Sequence, residues 1–218
     1  MNSINYRIKE IIKHPVGIFD RLNYALKSID VQRSLSFFSK DYLPVYKSSL
    51  TEVSCWNIKT AFLFTLVRIL KPEIVVETGV ATGGTTQAIL RAMYINQKGH
   101  LYSIDLHVLK SEDGSDKSEF EVGRLVPDNL KSRWTFIDGD SKIELPKLLK
   151  KLGQIDIFIH DSLHTYNHMK FEFNTAYPYI KKGGILFSDD IFFNHAFMEF
   201  SKNKKHYVIS RVMGYVIK

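Results

Sequence analysis

Ile74-Val75-Val76-Glu77-Thr78-Gly79-Val80-Ala81-Thr82-Gly83-Gly84-Thr85-Thr86 decides how the whole chain is read. A β-branched run ends in an acid, a glycine turn follows, and two hydroxyl residues open a helical pattern. Turns between a parallel strand and a helix hold nucleotide-type cofactors. The helix start presents unpaired N–H groups there, and glycines let the backbone come close to a ligand.

On the C-terminal side of this stretch the chain alternates. Strand patterns run over Ile74–Glu77, Leu101–Asp105, Trp134–Asp138, Ile155–Asp161 and Ile185–Asp189. Helical patterns fill the gaps over Thr85–Asn96, Lys142–Leu152 and Tyr166–Ile180. Such alternation predicts parallel strands joined by right-handed crossovers. His206–Ser210 and Val212–Ile217 are β-prone runs with almost nothing between them, so they predict an antiparallel hairpin at one edge. The expected fold is α/β: a Rossmann-like doubly wound sheet, mostly parallel, with that hairpin edge and an N-terminal helical extension. The boundary falls between residues 1–71 and 72–218.

In the N-terminal third, Ile4, Ile8, Ile11 and Ile12 have helical spacing, and Ile58 to Leu70 forms a second helical run that stops at Lys71-Pro72. This third is basic, with 11 Lys and Arg against 5 Asp and Glu; the other 147 residues are close to balance. A basic surface admits nucleic acid or anionic lipid as a partner. No Lys/Arg run with interleaved aromatics supports that, so a solvated face, a wall of the acceptor pocket or a homo-oligomer contact is the simpler use. Cys55 is the only cysteine, which excludes an internal disulfide. No apolar run is long enough to span a bilayer, and a cytoplasmic protein is expected. His107 to Lys131 is a long irregular segment placed to act as a lid.

Three cofactors compete for the glycine turn. A phosphate loop needs Lys where Thr85 stands, and loses its main phosphate partner without it. A dinucleotide turn needs glycine where Ala81 stands, and a side chain there obstructs the pyrophosphate. S-adenosylmethionine is cationic, so Glu77 at the strand tip suits its ammonium group. Thr78, Gly79, Gly83, Thr85 and Thr86 would complete the turn. Asp105, at the next strand tip, can accept the ribose hydroxyls, and Gly139-Asp140-Ser141 lie where the adenine edge would fall. Five successive strands end in Asp or Glu, at the edge where such sheets bind ligands.

At these residues the chain resembles the class I S-adenosylmethionine-dependent methyltransferases, and within them the branch of macrocin and related sugar O-methyltransferases. The catechol O-methyltransferases are more distant. The similarity runs from about Ile58 onward and rests on Glu77-x-Gly79-x-x-x-Gly83-x-Thr85, Asp105, Gly139-Asp140-Ser141, Asp161 and Asp189-Asp190. It implies that residues 72–218 form a methyltransferase domain, with Asp161 also touching the cofactor.

Asp161 and Asp189-Asp190 are oxygen-only donors at neighbouring strand tips, which suit a hard cation such as Mg²⁺. The resemblance implies the same three ligands. A chelated vicinal diol would then be methylated, with His164 as the base and Asp161 as its competitor. The expected acceptor is a small molecule bearing neighbouring hydroxyls, a sugar or sugar-containing natural product. Nucleic acid is disfavoured. A hydroxylation-associated enzyme and a non-catalytic S-adenosylmethionine-binding scaffold are the alternatives. His160, His164 and His168 share i, i+4, i+8 spacing, but His160 falls in a strand, which argues against a zinc site.

Overall fold

The computed structural model describes residues 58–107, 121–210 and 212–218. The helical pattern expected before residue 58, Cys55, Trp56 and positions 108–120 of the expected lid lie outside them.

Helix α1 (Ile58–Leu70) is almost wholly apolar, and Phe62, Leu63, Phe64, Leu66 and Val67 are fully buried. It stops where Lys71 turns to φ 48° and its N–H caps the Val67 carbonyl, with Pro72 next. The chain then alternates β1 (Ile74–Thr78), α2 (Gly84–Asn96), β2 (His100–Asp105), β3 (Trp134–Asp138), α3 (Ser141–Leu152), β4 (Ile155–His160), α4 (Tyr166–Ala176) and β5 (Ile180–Asp189). A short helix α5 (Ala196–Ser201) precedes β6 (Lys205–Ser210) and β7 (Met213–Ile217).

The seven strands are ordered β3-β2-β1-β4-β5-β7-β6. Strands β1 to β5 pair in parallel, and β7 runs antiparallel between β5 and β6. This is the expected doubly wound sheet with a hairpin edge. Side chains alternate across it. Val75, Ile157, Ile159, Phe187 and Tyr215 pack with α1 and α2 on one face. Val76, Ile104, Phe158, Leu186 and Val216 pack with α3, α4 and α5 on the other. A parallel sheet covered on both faces needs such continuous apolar strands.

Two elements differ from expectation. The helix read over Tyr166–Ile180 ends at Ala176, and a 3-10 turn follows at Tyr177–Tyr179. Pro178 has no N–H to continue the helical ladder. Strand β5 therefore starts at Ile180 instead of Ile185. Helix α5 also carries no strong sequence signal; it buries Phe197 completely and leaves Phe192 and Phe193 exposed before it.

Strand order reverses direction between β1 and β4, so the tips of these two strands diverge from their crossover helices and open a crevice at the carboxyl edge. Among the described residues no helix is long and apolar enough to cross a membrane.

Candidate active site

The glycine turn is built into the crevice. Gly79 has φ +84°, and any Cβ there would collide with the Asp161 carbonyl and the Ser162 amide. Only glycine allows the β1 tip to lie so close to the β4 tip. The Asp161 N–H donates to the Thr78 carbonyl at 2.9 Å, and the Gly79 N–H to the Ile104 carbonyl at 2.9 Å. Asp105 Oδ2 accepts from the Val80 and Ala81 amides at 2.7 and 2.8 Å. That clasp holds Ala81 at φ 48°, a region a non-glycine residue seldom adopts. From behind, the amides of Gly123 and Leu125 donate to the carbonyls of Ala81 and Thr82.

A cavity of about 570 Å³ opens beside this turn. Its walls include Gly79, Asp105, Gly139, Asp140, Ser141 and Asp161, six of the residues picked from sequence, together with Lys59 and His168. The others do not line it, His164, Asp189 and Asp190 among them. Thr78, Thr85 and Thr86 are buried, and Gly83 caps the start of α2. Glu77 is fully buried; its Oε2 accepts from Thr86 Oγ1 and Ser103 Oγ, both at 2.8 Å. Its Oε1 has no hydrogen-bond partner. Burial pushes the Glu77 carboxyl up to about 7, against the pull of the Ser103 and Thr86 hydroxyls.

The acids at the β4 and β5 tips do not act as one group. Asp161 Oδ2 and Asp189 Oδ2 converge on Lys59 Nζ, at 2.7 and 2.5 Å. Asp190 turns away: its φ of 47° reverses the backbone, and its Oδ2 lies 3.8 Å from His164 Nε2. Among the described residues, no three His, Cys, Asp or Glu side chains are grouped to hold a metal ion. Asp161 and Asp189 have the right oxygen chemistry for Mg²⁺, yet the point on which they converge is filled by an ammonium. Metal–oxygen bonds of about 2.0–2.1 Å leave no room for both cations. As arranged, the residues do not fit the ion.

Burial would lower the Lys59 pKa, but Asp161 and Asp189 outweigh it and hold the ammonium charged. Burial raises the Asp161 carboxyl; Lys59 opposes that and Asp189 adds to it, with a net upward shift. His164 is shifted down by burial and by His160, with Asp190 opposing. Its Nε2 is buried and has no hydrogen-bond partner.

Sequence reasoning missed two residues. One is Lys59, the lone cation opening an apolar helix, which is the signal that marks it. The other is Glu172, buried on α4. Its Oε2 accepts from Thr78 Oγ1 and His160 Nδ1, both at 2.6 Å. Its Oε1 accepts from Ser141 Oγ, Ser162 Oγ and His168 Nε2 at 2.6, 2.9 and 2.9 Å. Burial would raise its pKa, but the bonds from His160, His168 and Ser141 hold it well below the usual carboxylate range. The histidine periodicity thus serves this carboxylate. His160 and His168 bind Glu172, and His164 stands apart, its ring 5.2 Å from that of His160.

The strand order, the glycine turn and the acid-lined cavity define a Rossmann-like, S-adenosylmethionine-dependent methyltransferase. Residues 76–191, over half of the chain, match the family model described as a methyltransferase domain, and the chain belongs to that family. No curated protein sequence matches it. Solved structures share its fold. The Podospora anserina methyltransferase PaMTH1, bound to SAH, superposes with a TM-score of 0.56 at 11% identity, covering 84% of this chain and 92% of the other. CalS11, a TDP-rhamnose 3'-O-methyltransferase of calicheamicin biosynthesis, gives 0.57 at 14%, covering 85% and 92%. The O-methyltransferase NovP gives 0.52 at 21%, covering 74% and 80%.

Proposed function

We propose that this protein moves the methyl group of S-adenosylmethionine to a hydroxyl of a small molecule with neighbouring hydroxyls, a sugar or a sugar-containing natural product. The observation that carries this reading is the cavity at the β1–β4 crevice, which joins a cofactor-type turn to Asp161 and to the Ser162-Leu163 loop that leads into His164. The names of CalS11 and NovP point to hydroxyl acceptors on the same fold.

In this reading Gly79 brings its backbone close to the methionine end, Asp105 faces the ribose and Gly139 to Ser141 line the adenine end. Glu77 acts from behind the turn, and Asp161 faces the ammonium group. The acceptor oxygen attacks the methyl carbon in line as the carbon–sulfur bond breaks, and S-adenosylhomocysteine leaves. The hydroxyl proton passes to His164 Nε2. The nearby Asp190 carboxylate then favours the imidazolium, a positioning effect of charge at short range. Leu163 and Phe193 are exposed beside this point and offer an apolar face for a sugar ring. The Mg²⁺ implied by the sequence resemblance has no step here, because Lys59 fills its place.

Calorimetry with S-adenosylmethionine, followed by transfer of labelled methyl to a panel of catechols and nucleotide sugars, tests this. Binding with transfer to a diol is expected. Absence of cofactor binding overturns the reading.

A further inference from the structure

We infer that Lys59 is the resident cation of the acidic site: its ammonium takes the position between Asp161 and Asp189 that a divalent metal would hold, and the enzyme works without one. This rests on the methyltransferase reading above and names how that site manages its charge.

Two carboxyl groups at adjacent strand tips, with side chains only 18% and 14% exposed, cannot both stay ionised without a counter-charge. A cation must come from solvent or from the chain. Here α1 delivers it. Lys59 sits on the first turn of a helix whose next residues are locked in the core, so the root of its side chain is fixed by Phe62, Leu63 and Leu66. Its Nζ donates to both carboxylates at salt-bridge distance and it lines the cavity. Asp190, the third acid a metal would call on, is turned toward His164.

The chemical consequence is specific. Lys59 acts as a positioning residue: it holds Asp161 at the cofactor end with Asp189 beside it.

Mn²⁺ electron paramagnetic resonance reads this directly and needs no acceptor. Wild-type protein is expected to leave the free Mn²⁺ signal undiminished. Lys59→Met, with two acids and no ammonium, is expected to take up Mn²⁺ and to keep S-adenosylmethionine binding. Its turnover should fall by about 10²–10³, the scale for losing one preorganised charge. Lys59→Arg keeps the charge and should recover part of it. Wild-type turnover should survive chelator treatment. Stoichiometric Mn²⁺ uptake by the wild type, or turnover that returns only with added metal, overturns the proposal, and the wild-type arms stand even if Lys59→Met does not fold. If wild type fails to bind S-adenosylmethionine, the methyltransferase reading fails, whatever the Mn²⁺ signal shows.

Discussion

His160 Nδ1 lies 2.6 Å from Glu172 Oε2, with neither side chain exposed to solvent. Around that contact Glu172 gathers the β1 tip through Thr78, the start of α3 through Ser141 and the loop after β4 through Ser162. One carboxylate therefore ties together the segments that carry the glycine turn, Gly139 to Ser141 and Asp161.

Glu172→Gln should destabilise the fold by about 3–5 kcal/mol at neutral pH, the scale for breaking a buried charged network. The sign with pH follows from the lowered pKa. Its stabilisation is present above the unfolded value near 4.5 and is lost as pH falls below it. Urea unfolding at pH 7 and pH 4 should show a gap between wild type and variant that narrows in acid. A constant gap would refute the charged hub.

Glu77 carries the opposite sign. Its folded pKa, about 7, lies above the ordinary 4.5, so the folded state binds the extra proton. Stability should fall as pH rises from about 4.5 to about 7, by up to about 3 kcal/mol. Glu77→Gln should remove that slope in thermal melts. Calorimetry on the same variant also decides its ligand role. A direct ammonium partner would cost more than about 1.4 kcal/mol of S-adenosylmethionine affinity, a tenfold change, whereas a support behind the turn would not.

Gly79→Ala adds a methyl group against the Asp161 backbone and forces a left-handed backbone on alanine. The second effect alone costs about 1–2 kcal/mol. We expect a lower melting temperature together with weakened S-adenosylmethionine binding. Unchanged affinity in a folded variant would remove this turn from the cofactor site.

His164→Ala should lower kcat by about 10²–10⁴, the range for a general base, with S-adenosylmethionine affinity intact. Because its pKa is lowered, the acid limb of the wild-type kcat profile should fall below the ordinary histidine range. An acid limb that persists in His164→Ala would move the base role to Asp161.

The strand–turn–helix alternation was legible in the sequence because each parallel strand is short, rich in apolar residues and has an acid at or next to its carboxyl end. Ile58 to Leu70 was legible because its apolar run stops at Lys71-Pro72. The acids at the sheet edge were legible as a set, but not their partners. Asp189 and Asp190 are adjacent in sequence, and only the positive φ of Asp190 sends one to Lys59 and the other to His164. Lys59 lies 102 residues from Asp161, so no local spacing links them. Glu172 collects donors from five positions, Thr78, Ser141, His160, Ser162 and His168, a convergence set by topology. The i, i+4 spacing of His168 and Glu172 was its one local trace.

Asp105 clasps the Val80 and Ala81 amides from the tip of β2. In the proposed function this loop meets the cofactor with its backbone already tied down, so part of the ordering cost has been met in folding. Arrival at such a surface is set by encounter rather than by rearrangement. Changes around this loop should therefore be felt in how long the cofactor stays, and scarcely in how quickly it comes.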